Sequence, residues 1–526
     1  MSDVDAIIIG SGAGGMATAV ALARAGMRVA VFERHTLPGG WCHTFNLGGF
    51  DFSPGVHYIG ELGPQGAMRR IYEGLGVSET LSFLELNPDG YDQARLGGHV
   101  FDIPKGRDVL EARLVERFPS DADGIRDVLR LATLIPAELQ QLEPRSAADA
   151  LALPWRARHA LRYGAARWAP FVAARVKDPL AQAILSVQGG DHGVPASEAS
   201  VALHASIMAH YFDGGWYPKG GARAIPKAFI RQLRAHGGSI QVGAPVHRVL
   251  IREGRAVGVE LEDGTNISAP VVVSNAEPSV TWGKLVPREH QPTALRRRME
   301  KARWSISAIS LFFATDLDLR AAGLSSANVW YSDDLDPDTA HRLVRQGTLT
   351  GDEAIPAFFL TTTTLKEPYK RRDGMHTCEA FAFVSGDAFA PWASSEHGAR
   401  PASYEDLKRK LADRFFEAIE RVVPSLREHV VFHSLGTPLT NTHYLNATRG
   451  NLYGTHKSLR ALGPMGFPIH THLPGLYQVG QSTVSHGIAG VTQSGLLAAS
   501  AILKVPRSTL SENPGPPLRI EAADPR

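Results

Sequence analysis

Cysteine is nearly absent: Cys42 and Cys378 are the two in 526 residues. Two thiols exclude a disulfide framework and a thiolate zinc site, and they suit a reducing compartment. Excess charge is missing as well. Fifty-five Lys and Arg stand against 53 Asp and Glu, a net of +2, so the chain as a whole carries no electrostatic footprint for nucleic acid. No apolar run is clean enough for a transmembrane helix. Residues 6–23 are uncharged but hold Gly10, Gly12, Gly14 and Gly15; residues 473–503 lack Lys, Arg, Asp and Glu but hold Gln481, Ser482, Thr483, Ser485, His486, Thr492 and Gln493. The first residues lack the basic region of a secretory signal. No HExxH and no triad pattern occurs, and His470 and His472 read as strand or surface histidines, so no metal is expected. These absences point to a cytoplasmic protein.

What is abundant is glycine, 52 residues without low complexity, in a chain whose 44% hydrophobic and 21% charged residues are ordinary for a globular protein. Five of those glycines, with the residues around them, make the strongest local signal. Asp5 to Ile9 reads as a buried strand, Met16 to Ala25 as a helix stopped by Gly26, and Met27 to Phe32 as a second buried strand. This is a βαβ unit with parallel strands. Between its first strand and helix lies Gly10-Ser11-Gly12-Ala13-Gly14-Gly15. Gly10 permits the tight turn, Gly12 lets the backbone approach a pyrophosphate, and Gly15 lets helix and strand pack closely. The helix N-terminus then offers N–H groups to phosphate. Glu33 closes the second strand, where an acid accepts ribose hydroxyls and disfavours a 2′-phosphate. Dinucleotide binding follows, and the fingerprint does not separate FAD from NAD.

Farther along, residues 107–178 read as mostly helical. Residues 238–275 switch to short strands, with turns at Glu253-Gly254 and Asp263-Gly264. Strands are expected at Ser307 to Phe313 and Ala380 to Val384, and a helix near 404–422. Residues 476–503 read as a strand, a glycine-rich loop and a helix from Ser494 to Leu503. The tail 505–526, with four prolines before Arg519, is expected to be disordered.

Other segments choose between the dinucleotides. Gly39-Gly40 with His43-Thr44-Phe45 resembles the second diglycine of the FAD-dependent amine oxidase and phytoene desaturase superfamily. Tyr217-Pro218-Lys219-Gly220-Gly221 and Leu476 to Gly480 through Gly487-Ile488-Ala489-Gly490-Val491 resemble further motifs of that superfamily. Gly55-Val56-His57-Tyr58-Ile59-Gly60, Gly190-Asp191-His192-Gly193 and Gly436 to Thr440 resemble the branch holding retinol saturases and carotenoid isomerase-like proteins. The resemblance implies non-covalent FAD. Gly10, Gly12, Ala13, Gly14 and Gly15 would serve the pyrophosphate, Glu33 with Arg34 the ribose, and Gly39 and Gly40 the phosphate and ribityl chain. Val246 would hold adenine by its backbone. Gly480, Gly490, Val491 and Thr492 would hold the ribityl and pyrimidine ends, where a helix N-terminus suits the anionic reduced flavin.

The implied fold is α/β: a discontinuous Rossmann-type FAD-binding domain, with a parallel sheet, from residues 1–105, 216–290 and 425–504. An interleaved α+β substrate domain would use residues 106–215 and 291–424. The implied chemistry is oxidoreduction at carbon–carbon bonds of a polyene or other isoprenoid-like lipid. Saturase-type reduction comes first, with desaturation, redox-neutral cis–trans isomerisation and amine oxidation as alternatives. His57 and Tyr58 are the candidate proton donors, and His486 is a candidate at the C-terminal flavin loop. No second glycine fingerprint is present, so the electrons come from transient NAD(P)H or from a redox partner. Finally, Arg156, Arg158, Arg162, Arg167, Arg175 and Lys177 run without an acid among Trp155, Leu161, Tyr163, Trp168, Phe171 and Val172. This basic amphipathic stretch suits peripheral contact with an anionic membrane surface.

Overall fold

A computed structural model describes residues 3–140, 147–347, 351–458 and 465–524, with side chains omitted for 147–151. Parts of the expected helical stretch, substrate segments, C-terminal segment and tail (141–146, 348–350, 459–464 and 525–526) lie outside the described residues.

The βαβ unit forms as its pattern requires. Ala6–Ile9 and Val29–Phe32 pair in parallel, joined by the helix Ala13–Arg24. Every residue of both strands is buried, so alternation is absent and the sheet is covered on both faces. Three more strands complete a five-stranded parallel sheet: Ser239–Gln241 beside Val29–Phe32, and Val271–Ser274 followed by Leu476–Gln478 on the other side of Ala6–Ile9. The hairpin Val246–Arg252 and Arg255–Leu261 turns at Glu253 and Gly254, both at positive φ, and Asn266–Ser268 adds a third strand.

A seven-stranded, mostly antiparallel sheet runs Val430–Gly436, Ser307–Thr315, His376–Val384, Ala357–Thr362, Asn328–Ser332, Asp92–Leu96, His99–Ile103. Two of its members correct the segment boundaries read from sequence. Asp92–Ile103 was assigned with 1–105, and Val430–Gly436 with 425–504, yet both pair into this second sheet. Strand patterning identifies a strand but not the edge that receives it.

The tail is a second correction. Arg519–Ala522 forms a strand parallel to Ser82–Glu85, and Lys219 Nζ lies 2.6 Å from Glu521 Oε2. Leu518 and Ala523 are buried. Prolines 506, 514, 516 and 517 all precede Arg519, leaving its backbone donors free to pair.

Candidate active site

One cavity of about 1210 Å³ runs between the two sheets. Its wall takes residues from the glycine loop, the Glu33 to His43 segment, Pro54 to Glu61, the start of the Val246–Arg252 strand, the C-terminal loop and the seven-stranded sheet. The volume exceeds that of an ordinary small-ligand pocket, about 300–1,000 Å³.

The nucleotide end is built from backbone. Gly10 has φ 92°, which a side chain would strain. A Cβ on Gly15 would collide with the Gly10 carbonyl, and one on Gly14 would sit 2.9 Å from Asn275 Oδ1 and from the Val491 carbonyl. Gly15 is absent from the cavity wall and serves close packing, whereas Gly10, Gly12, Ala13 and Gly14 line it. Gly12 caps the helix with no side-chain hydrogen bond, which leaves first-turn N–H groups for a ligand. Glu33 Oε2 accepts from Ser11 N at 2.8 Å and from Ser11 Oγ at 2.7 Å; its Oε1 accepts from His35 N at 2.8 Å. Ser11 Oγ in turn accepts from Gly39 N at 2.9 Å, so one carboxylate ties both diglycine segments together. Arg34 lines the cavity while donating to the carbonyls of His443 and Tyr444, both at 2.8 Å. Gly39, Gly40 and Val246 line it too.

The C-terminal loop differs from its sequence reading. The helix starts at Gly487, not Ser494. Gly490, Val491 and Thr492 therefore lie within its opening turns, and Gly487, Ile488 and Ala489 carry the unpaired N–H groups. Gly480, Gly490 and Val491 line the cavity. Thr492 does not: it is fully buried, and its hydroxyl has no partner among the described residues. Gly487 and Gly490 hid its opening turns, because their low propensity argues against a helix; farther along, packing requires a glycine. Gly495 meets the Gly14 carbonyl so closely that no Cβ fits.

The far end is built from buried side chains. His57 Nδ1 lies 3.1 Å from Glu379 Oε2, and the ring packs against Phe359 and Phe381. Glu379 Oε1 accepts from Ser53 N at 2.6 Å. Tyr58 Oη lies 3.1 Å from Asp92 Oδ2 and 2.9 Å from Asp191 Oδ2, and its ring stacks on Tyr211. Burial, reinforced by both carboxylates, raises the Tyr58 pKa well above the ordinary phenol value. Lys366 is fully buried and donates to the His57 carbonyl and to Asn328 Oδ1, both at 2.6 Å; burial pushes its pKa down to about 7, against Glu379 and Asp92.

His486 caps the C-terminal helix, and its Nε2 lies 2.9 Å from the Asp191 carbonyl oxygen. An N–H is required there, and Nδ1 has no partner. Burial, with Lys457 nearby, pushes the ring down to about 3. The neutral imidazole thus spends its single proton on the backbone. The expected donor role does not fit this geometry, which makes His486 an anchor for the Asp191 loop. Sequence reasoning missed Asn275, Asp92, Asn328, Lys366 and Glu379. None lies in a motif, and an ionisable residue in a strand pattern reads as solvent-facing.

Cofactor fit rests on these observations. Two helix N-termini without side-chain caps, Ala13–Arg24 and Gly487–Leu503, open on one cavity floored by glycines that exclude side chains. That donor set suits a dinucleotide phosphate at one end and an electron-rich flavin edge at the other.

Comparison with known proteins agrees. Residues 13–503 match the family described as flavin containing amine oxidoreductase. The chain is 30% identical to the all-trans-retinol 13,14-reductase of Danio rerio, covering 95% of this chain and 86% of that one. It is 27% identical to prolycopene isomerase 1 of an Oncidium hybrid cultivar, over 95% of this chain and 84% of that one. Among solved structures, an oxidoreductase from Methanosarcina mazei superimposes with a TM-score of 0.63 at 18% identity, covering 95% of this chain and all of that one. The chain therefore belongs to the flavin containing amine oxidoreductases, as an FAD-dependent oxidoreductase of the branch that holds the all-trans-retinol 13,14-reductases.

Proposed function

We propose that the protein reduces a carbon–carbon double bond in a polyene or other isoprenoid-like lipid, as the name of its retinol reductase relatives suggests. The observation that carries this reading is the far wall of the cavity. Pro136, Leu139, Ile207, Phe312, Phe359 and Phe381 form an apolar surface continuous with the glycine cradle. Such a wall suits a long hydrocarbon with few groups to hydrogen-bond. FAD, held by Gly10 to Gly14, Glu33, Gly39, Gly40, Val246, Gly480, Gly490 and Val491, would supply hydride chemistry. The chain itself orients the hydrocarbon against the phenylalanines, excludes water, and sets His57 and Tyr58 on the wall, the Tyr58 hydroxyl between two carboxyl groups.

Entry from a membrane belongs to the same reading. Trp155 is 80% exposed and Leu161 61%, beside exposed Arg156, Arg158 and Arg162. Glu138 accepts from His159 N at 2.9 Å and Ala160 N at 2.8 Å, tying this patch to the helix end that supplies Pro136 and Leu139 to the cavity wall. The patch is smaller than the sequence suggested. Trp168, Phe171 and Val172 are core residues, and Arg175 pairs with Asp127. No described helix is long and apolar enough to cross a membrane.

The test supplies the photoreduced holoprotein with a panel of polyenes in liposomes, without oxygen, and follows product mass. A gain of about two mass units, one added H₂, is expected. Unchanged mass with a new retention time would instead mean isomerisation, the activity named for the prolycopene isomerases. Replacing Arg156, Arg158 and Arg162 by Gln should weaken vesicle binding at low salt by about a hundredfold, at about 1 kcal/mol per charge. Undiminished pelleting removes the membrane component.

A further inference from the structure

Three oxygens stand in a row that starts at the cavity wall with Asp191 and Tyr58 and runs behind it to buried Asp92: Asp191 Oδ2, Tyr58 Oη and Asp92 Oδ2, separated by 2.9 and 3.1 Å. Two hydrogen bonds require two protons, and the phenol brings one. With both carboxyl groups ionised, one contact would set lone pair against lone pair in a buried site. One carboxyl must therefore carry a proton.

The surroundings decide which. Asp92 Oδ1 accepts from Asn328 Nδ2 at 2.9 Å, Oδ2 faces Gln188 Nε2 at 3.4 Å, and Lys366 stands behind Asn328. These donors favour a carboxylate at Asp92. Among the described residues, Tyr58 Oη is the hydrogen-bond partner of the Asp191 carboxyl, and the other groups near it are Tyr91, Tyr211, Tyr453, His192 and His486. The phenols are uncharged, and burial holds both imidazoles in their neutral form. Among the described residues, nothing cationic touches Asp191. Burial, then the Asp92 charge across the phenol, raises its pKa well above the carboxylate range, whereas Asp92 is pushed only to about 6. Asp191 also lines the cavity, on the side closed by His486 and the helix beginning at Gly487.

We propose that Asp191 is the catalytic acid of this oxidoreductase, kept protonated by Asp92 acting across the Tyr58 hydroxyl. The proposal rests on the double-bond reduction above. One carbon of the substrate double bond takes a hydride from reduced flavin. The Asp191 proton leaves its hydrogen bond to the Tyr58 oxygen, the π pair bonds it at the adjacent carbon, and the double bond becomes single. Asp191 is left as a carboxylate and the flavin is oxidised by two electrons. The row Asp191–Tyr58–Asp92 now holds two negative charges and one proton, which draws a proton from water at the cavity mouth and resets the acid. Asp92 and Tyr58 are positioning residues, acting through Asp191.

Infrared difference spectroscopy of the holoprotein reads the acid without substrate. The wild type should show the carbonyl stretch of a protonated carboxylic acid at neutral pH, shifted in heavy water and missing in Asp191→Asn. Asp191→Asn should keep its FAD and photoreduce normally, yet reoxidise with polyene at least a hundredfold more slowly, the low end for general acid catalysis. In Asp92→Asn the band should vanish at lower pH, because the charge that holds the proton is gone. No band in the wild type, a band surviving in Asp191→Asn, or polyene turnover of that variant within threefold of wild type would overturn the assignment. If Asp191→Asn fails to retain FAD, the Asp92→Asn titration decides, and an unmoved midpoint overturns the proposal. A wild type that shows the band but reduces no polyene sinks the polyene reading while leaving Asp191 protonated, so the two failures are distinguishable.

Discussion

The two ends of the cavity are made of different materials. The nucleotide end is backbone: glycines that admit no side chain, two helix N-termini, and one carboxylate that Ser11 and His35 hold in place. The far end is side chain: Asp92, Asp191, Glu379, Lys366, Tyr58 and His57, gathered from four stretches of chain into an apolar interior. Backbone donors are fixed by local conformation and need no titration. Buried ionisable groups are costly singly and stand only as a network, so each depends on its neighbours. One end therefore binds through shape, and the other holds and moves protons.

The largest effect should come at the backbone end. Gly15→Val drives two methyl groups toward the Gly10 carbonyl, so helix and strand must separate, and the purified protein should carry no flavin by absorbance. A flavin-replete Gly15→Val would break the contrast, because it would mean that this end also tolerates rearrangement. Glu33→Ala comes next. It removes a charged acceptor from Ser11 and His35 and slackens Gly39 through Ser11, for about 1.5–3 kcal/mol. FAD should dissociate about tenfold to a hundredfold more readily in an equilibrium dialysis series.

A subtler effect belongs to the far end. Lys366 takes up a proton below about pH 7 in the folded state, against an ordinary lysine pKa of 10.5 when unfolded. Between these values the unfolded chain binds more protons, so stability rises with pH across that window. Lys457, also buried and pushed down to about 7, adds a parallel rise. Chemical denaturation at about pH 7 and about pH 10 should show the rise in the wild type and roughly half of it in Lys366→Met. An unaltered slope would show that Lys366 keeps its proton in the fold, with Asp92 and Glu379 balancing its charge against burial. The smallest effect is at Thr492. Thr492→Val replaces an unpartnered buried hydroxyl by a methyl, which should stabilise by about 1 kcal/mol and leave FAD retention unchanged. Weaker FAD retention would return Thr492 to the cofactor.

The same division governed how much of the molecule was legible. Gly10 to Gly15, Glu33, Gly39 and Gly40 are close in sequence, and their spacing encodes one turn between strand and helix and the carboxylate that ties it. The βαβ unit and the hairpin turning at Glu253-Gly254 were readable for the same reason: local conformation and hydrophobic period are properties of short segments. The opening turns of the helix beginning at Gly487 were not, because Gly487 and Gly490 lower local helix propensity and packing overrides it. The strand Arg519–Ala522 was not, because its partner Ser82–Glu85 lies more than four hundred residues upstream.

The proton-bearing end shows where local reading stops. Along the chain Asp92 is a polar residue in a strand, and although Asp191 and Tyr58 stand in motifs, nothing in their order joins the three. Their chemistry exists only in the shared row of oxygens, because a pKa is set by what surrounds a group in space. Residue order therefore held the strand–glycine turn–helix unit, the acid closing its second strand and the motifs of a flavin family, all properties of contiguous chain. Packing alone decided which sheet received Asp92, which histidine was neutralised, and which carboxyl keeps its proton, since burial and charge act through space and not along the sequence.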